Sequence, residues 1–433
     1  MEREKIWKLA QSYQGILATG AALRLALCFA APSLGLILER RPELSTPLTS
    51  FRSLKEGVII HHKGTNPYSG GVFYHSPLYL ALFTYIIPAS TYLFTALAWT
   101  IADMSSSAAL VRIWRTRNTN STHESDWLVA GLYLFNPYTI LSCLARSTTS
   151  IDNAILLHAI SFAASGQTIH ATFFLAFATH TSLYPILLLP PFAMLLMRTY
   201  AQRVFITIST YMMWMAAFTG IGYGVAGKAW LGQTFGVIIN VTDLTPNVGM
   251  WWYFFTEMFD HFRMFFLGVF QLHNLIYVAP ICVRLSEDPL FAILVLVGVF
   301  GTWKSYPSLG DMALWAGLLG CFPEIVSNLR HPLFTLTVHL YTSILLPLLH
   351  SLWLLTGTGN ANFFYAATMV YGLNASLAVV DVMGAGLRLQ VKRKATKVLL
   401  RDELEGQSMN EDMIADLWER KGWSVVQFTG QLS

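Results

Sequence analysis

An all-α, polytopic membrane bundle of about 10–12 transmembrane helices is the fold this sequence predicts. Three observations predict it. Only 12% of the 433 residues are charged while 54% are hydrophobic, about half the ~25% charged share of a soluble domain. The apolar residues gather into blocks of spanning length, where ~20 residues cover the hydrocarbon core of a bilayer. Finally, 49 consecutive residues, Pro332 to Val380, contain no Asp, Glu, Lys or Arg, which is enough for two crossings.

The first block, Gln14 to Leu38, has a single charge, Arg24. Its apolar run is too long for a removable signal, and no small-residue cleavage site leads into a soluble mature protein. Pro77 to Ile101, Trp127 to Ala145, Ile169 to Met197, Val204 to Gly227 and Met264 to Val283 carry no charge and each predicts a crossing. Shorter pieces, Ile151 to Ser165, Pro289 to Trp303 and Met312 to Pro323, predict short, tilted or partly re-entrant helices. Arg112, Arg115 and Arg117 follow one block, Arg198 and Arg203 separate two others, and six basic residues from Arg388 to Arg401 follow the last. The positive-inside tendency puts these loops and the C-terminus in the cytosol, and the segment from Glu39 to Ser76 on the opposite side. The chain divides into a multi-span domain, residues 1–388, and a cytosolic tail, residues 389–433.

Soluble-enzyme templates find nothing here: no phosphate-cradling GxxxxGK, no GxSxG, and no repeat of 20 to 50 residues. Cys28, Cys143, Cys282 and Cys321 sit far apart in apolar blocks, which fits neither a disulfide framework nor a zinc site. The chemistry is therefore sought in the loops. His61, His62 and His75 lack an accompanying carboxylate or Cys at ligand spacing and read as ordinary loop residues. In DLTPNVGMWWYFFTEMFDHF, Asp243 and Asn247 suit a turn, while Trp252 and Tyr253 belong to an interfacial aromatic belt. On the helix that follows, Glu257, Asp260 and His261 fall at i, i+3 and i+4 and share a face, which could hold a divalent cation or bind an amine or sugar, or be a polar face at the bilayer edge. KSYPSLGD, Lys304 to Asp311, breaks any helix at Pro307 and reads as a tight loop more readily than as a cavity lining. NPYTILSCLARSTTSIDN kinks at Asn136–Pro137 and re-enters the apolar phase at Asp152–Asn153.

GNANFFYA, Gly359 to Ala366, interrupts the long uncharged run. As a turn it needs Gly357 and Gly359. Asn360 and Asn362 add amides that suit hydroxyl or phosphate groups at a membrane edge, and Phe363, Phe364 and Tyr365 add aromatic faces. Capping of the next helix by the same amides is the structural alternative.

The motifs NPYSG, NPYTILSC, SLYP, DLTPN followed by WYFF and EMF-x-HF, VFQ, KSYP-x-x-GD and NFFYA, in this order and from the first helix to about Arg388, resemble the U subunit of the glycosylphosphatidylinositol (GPI) transamidase. The resemblance implies an endoplasmic reticulum membrane protein in a complex that replaces a protein's C-terminal signal with a GPI lipid. It implies a fold similar to the GPI mannosyltransferases. It also implies a non-catalytic role beside a separate caspase-like subunit that carries the thiol nucleophile, with the other transamidase subunits, the GPI lipid and the membrane as partners, and with no nucleic acid, metal or cofactor. The GPI-lipid-binding candidates are then Asn360, Asn362, Phe363, Phe364, Tyr365, Asp243, Asn247, Trp252, Tyr253, Glu257 and His261. The competing reading, a lipid-sugar-dependent glycosyltransferase, needs a carboxylate in the first loop, typically in an acidic pair. Glu39 to Ser76 offers only Glu39, Glu43 and Glu56, with no acidic pair.

Overall fold

The structure is a computed structural model that describes residues 12–118, 125–197, 203–399 and 420. Among the described residues every regular element is helical. The helices are, in order, α1 Tyr13–Ala30, α2 Pro32–Glu39, α3 Phe51–His62, α4 Pro77–Ala81, α5 Tyr92–Arg117, α6 Asp126–Leu134, α7 Pro137–Leu144, α8 Thr149–Ala164, α9 Thr168–Ser182 and α10 Leu189–Met197. They continue as α11 Arg203–Ala226, α12 Trp230–Asn240, α13 Trp251–Glu257, α14 Asp260–Ile276, α15 Val278–Arg284, α16 Pro289–Trp303, α17 Leu309–Leu319, α18 Pro323–Val326, α19 Pro332–Leu354 and α20 Ala361–Leu399.

Six helical stretches among the described residues have the length and composition of a membrane span. The pair α6–α7, bent by 52°, makes a seventh if it is one broken span, and four shorter apolar helical stretches stand beside them. The bend falls at the predicted Asn136–Pro137. Pro137 has no N–H to donate, and the Asn136 side chain caps α7 by accepting from Tyr138 N at 2.9 Å.

Two uncharged helices take different places in the bundle. Helix α16 is buried along almost its whole length, from Pro289 to Thr302, and packs on α10, α17 and α20. In α19 only Thr342 and Leu346 are buried, and Leu333, Phe334, Tyr341 and Ile344 are largely exposed. A helix apolar on every side belongs in a core or against lipid; α16 is the first case and α19 the second. Glycines let the core close: a Cβ on Gly386 would stand 2.3 Å from the Phe291 ring, and one on Gly298 would stand 2.6 Å from Trp315 and Val379.

Inside the bundle, Arg24 of α1 donates from Nε to Asp103 of α5 at 2.7 Å, from Nη1 to Gly20 O at 3.2 Å and from Nη2 to Thr139 of α7 at 3.1 Å. Both charged side chains are essentially without solvent exposure. The boundary expected between residues 388 and 389 falls inside α20, which continues to Leu399. Most of the expected tail lies outside the described residues.

Candidate functional site

The two ends of α16 mark two poles. At its start Asp288 pairs with Arg117 at 2.9 Å, and Arg117 also pairs with Glu324. Lys394 reaches Glu287 at 2.8 Å and Arg388 donates to Asn328 O at 2.9 Å. This is the basic pole. At the other end Trp303 O accepts from Trp251 Nε1 at 3.0 Å, and here the polar loops gather. Leu309 N donates to Glu43 O and Thr148 N to Thr49 O, both at 2.9 Å. The Tyr306 hydroxyl donates to Asp243 O at 2.7 Å, and the Tyr365 hydroxyl to Met250 O at 3.1 Å.

The structure joins two of the sequence motifs into one surface. Helix α13 lays Trp252 and Tyr253 against the first turns of α20. The Tyr253 and Tyr365 rings lie 4.7 Å apart, Trp252 lies 5.9 Å from both Phe364 and Tyr365, and Trp353 stacks on Trp252 at 6.1 Å. The Tyr253 hydroxyl donates to the Asn362 side-chain oxygen. Phe364 is fully buried beneath this surface, whereas Phe363 is 57% exposed. Asn360 is exposed and its side-chain oxygen accepts from Phe363 N at 3.2 Å, so it caps α20 and leaves its amide N–H groups turned outward.

Asp243 and Asn247 lie in the adjoining loop. Asp243 accepts from Thr245 N, and the buried Asn247 from Gly249 N, each at 2.8 Å, the local turn bonding that their side chains favour. Asp243 also borders a cavity of about 470 Å³ shared with Glu56, Asn66 and Tyr74 of the first loop. Burial, and then the nearby Asp243 charge, push the Tyr74 phenol up to about 12.

Glu257, Asp260 and His261 do not share a helical face. Helix α13 ends at Glu257, Met258 is extended (φ −81°, ψ 142°), and α14 begins at Asp260 after an extended Phe259 (φ −68°, ψ 135°). The i, i+4 reasoning presumed a continuous helix. Instead the chain turns here so that Phe254 and Phe255 pack on Phe270 of α14, with ring centroids at 5.0 and 5.5 Å. Glu257, Asp260 and His261 are all exposed, and His261 stacks on Phe259 at 6.0 Å.

Beneath the loops lies a cavity of about 80 Å³. It is lined by Asp152 and Asn153 of α8, Thr181 and Ser182 of α9, Tyr184, Lys304 just after α16 and Asp311 in the first turn of α17. Lys304 Nζ lies 2.6 Å from Asp311 Oδ1, and Asp311 Oδ2 accepts from Ser308 N at 2.8 Å. Ser308 and Asp311 thus form a capping box that starts α17. The tight-loop and cavity-lining readings of KSYPSLGD describe the same residues. Sequence reasoning saw both charged segments yet did not join them, and it missed Tyr79, Tyr184 and Thr181. The available signal was that ionisable side chains inside a bundle find one another; the Arg24–Asp103 pair was missed in the same way.

A second, apolar recess of about 630 Å³ lies between α6–α7, α17, α19 and α20, with Asn136, His339 and Asp381 on its wall. It opens along Pro332 to Leu340, at the other end of the α19–α20 hairpin from Asn360. His61 is half-buried and faces the Tyr85 hydroxyl at 3.3 Å. His75 is buried and bonded through Nε2 to Ser50 O at 2.8 Å, and burial holds its pKa at about 4. All four cysteines are free thiols in the interior.

These features define a polytopic α-helical membrane protein with an aromatic–amide surface and a polar cavity at one pole. A family model described as GPI transamidase subunit PIG-U matches residues 18–371. The chain is 32% identical over 411 residues to the human GPI-anchor transamidase component PIGU, covering 86% of this chain and 93% of that protein. Its mouse counterpart is 31% identical over 408 residues with the same coverage. The Saccharomyces cerevisiae GPI transamidase component GAB1 is 33% identical over 373 residues, 85% of this chain and 93% of that protein. The chain belongs to the PIG-U family of GPI transamidase subunits.

Proposed function

We propose that this chain is a non-catalytic subunit of the GPI transamidase in the endoplasmic reticulum membrane, with its C-terminus cytosolic, and that it presents the GPI lipid to a caspase-like catalytic subunit. The observation that carries the reading is the joining of WWYFF and NFFYA, 109 residues apart at Tyr253 and Asn362, on one surface at the end of uncharged helices. Aromatic faces and neutral amides suit a glycan headgroup, and the exposed apolar side of α19 suits its tails. Burial of every cysteine supports leaving the nucleophile to another subunit, because a buried thiol is a poor thiolate.

The test is to purify the complex in native detergent and quantify copurifying GPI by mass spectrometry. Tyr253→Phe with Asn362→Ala should assemble normally, retain about tenfold less GPI, and let complete GPI accumulate in cells. Wild-type GPI retention in this double variant would refute the lipid role. Accumulation of an under-mannosylated precursor instead would favour a glycosyltransferase.

A further inference from the structure

The buried carboxylates of this bundle come with bases. Asp103 has Arg24 at 2.7 Å, Asp126 has Arg115 at 2.6 Å, Asp311 has Lys304 at 2.6 Å, and Glu43 has Arg41 at 4.0 Å. Asp152, which is half-buried, has no such partner. It lines the cavity under the loops, its Oδ1 accepts from the Tyr79 hydroxyl at 2.7 Å, and among the described residues no basic side chain stands within 4.0 Å of it. Lys304, the one base whose field reaches it, is already held by Asp311. The Thr181 hydroxyl, 3.0 Å from Ala178 O, is also a hydrogen-bonding neighbour of the Asp152 carboxyl.

A carboxylate taken from water with no counter-charge is costly, and a cation that arrives with its own hydrogen-bond donors removes that cost. The cavity wall therefore carries two carboxylates and one ammonium, one negative charge in excess. Its volume of about 80 Å³ holds a few waters, at ~10–15 Å³ for each, or the end of a small headgroup. Hydroxyls of Thr181, Ser182 and Tyr184 line the same space.

We propose that this cavity is a receptor for a primary ammonium group, with Asp152 as its counter-ion. Two short pieces of chain link the cavity wall to the aromatic surface. Trp251, next to Trp252, bonds Trp303 O, and Lys304, the residue after Trp303, lines the cavity. The carrier of the ammonium rests on the GPI reading above and is either a phosphoethanolamine branch or an unacetylated amino sugar. The cation site itself does not rest on that reading.

The test uses the intact complex in native detergent, titrated with O-phosphoethanolamine and separately with glucosamine and read by thermal shift. Inorganic phosphate and N-acetylglucosamine serve as matched probes without the ammonium. We expect one amine to stabilise the wild-type complex while its matched control does not. Asp152→Asn should raise the midpoint concentration by about tenfold or more, the weight of a charge-assisted contact. Ser182→Leu, which fills the cavity and leaves the carboxylate in place, should do the same. The amine that binds names the carrier. An equal response to phosphate or to N-acetylglucosamine, or an unchanged response in Asp152→Asn, would overturn the site. Failure of both variants to assemble would also overturn it, because space kept for a ligand tolerates a leucine. GPI quantified on the same samples reports the lipid reading by itself: a wild-type complex without GPI defeats that reading, and the soluble-amine titration still decides the site.

Discussion

Replacing Asp103 by Asn should unfold or disassemble the protein, and replacing its partner as well should rescue it. Arg24 and Asp103 are shielded from solvent, with side-chain exposures of 0% and 1%. Asp103→Asn keeps a shape that can still accept from Nε but leaves the guanidinium without an anion, among neutral acceptors only: the new amide, Gly20 O and the Thr139 hydroxyl. Breaking one side of such a pair costs about 3–5 kcal/mol, whereas replacing both sides by apolar groups of similar volume is often neutral. The single variant should therefore lose about two or more powers of ten in its folded-to-unfolded ratio. Arg24→Met with Asp103→Leu should return to within about 1 kcal/mol of wild type. The assay is a double-mutant cycle of Arg24→Met, Asp103→Leu and their combination on unfolding midpoints in one detergent, with native-gel assembly as a parallel readout. Additive losses, the double variant falling as far as the two singles together, would refute the view that Arg24 is retained to answer Asp103.

Acidification from pH 7 to 5 should destabilise the loop pole through His75. Burial keeps its imidazole neutral to about pH 4 in the folded chain against an ordinary 6.5, so the unfolded chain takes up the proton first and stability falls across that window by about 2 kcal/mol by pH 5. His75→Gln should flatten that part of a pH series of unfolding midpoints, and an unchanged slope would refute the assignment. Exchanging Cys28, Cys143, Cys282 and Cys321 together for Ala should leave GPI attachment to a reporter protein intact in an assembled complex; loss of attachment with normal assembly would mean that one thiol takes part. Gly386→Val should lower the thermal midpoint through a clash with Phe291 worth about 1–3 kcal/mol, and an unchanged midpoint would show that the α16–α20 contact yields.

The fold class and the broken helix at Asn136–Pro137 were legible because both follow from local facts: the length of uncharged blocks and the missing N–H of proline. Which apolar helix goes inside was not read from the sequence, although α19, with His339, His350 and several Ser and Thr hydroxyls, is less apolar than α16 and is the one left facing outward. Among the site candidates, Trp252, Tyr253, Asn362, Phe364 and Tyr365 were each visible as interfacial residues, but their union depends on two helices meeting, which no local pattern encodes. The supposed face of Glu257, Asp260 and His261 failed for the complementary reason. A tertiary demand, the stacking of Phe254 and Phe255 on Phe270, overrode a helical periodicity that the sequence alone allowed to continue.

Helix α20 also fixes how deep the protein sits. Its uncharged portion, Ala361 to Val380, is 20 residues, about 30 Å at 1.5 Å per residue, equal to the hydrocarbon thickness of an ordinary bilayer. Asn360 stands at one edge of that portion and Asp381 at the other. The remaining stretch to Leu399 is rigidly continuous with it and carries on about 28 Å past the hydrocarbon. The helix acts as a plumb line: sliding it by one turn would drag Asp381 into lipid or lift Phe363 out of it. The aromatic surface built on its first turns is therefore held at the water–lipid boundary, the level at which a lipid-linked glycan leaves the membrane.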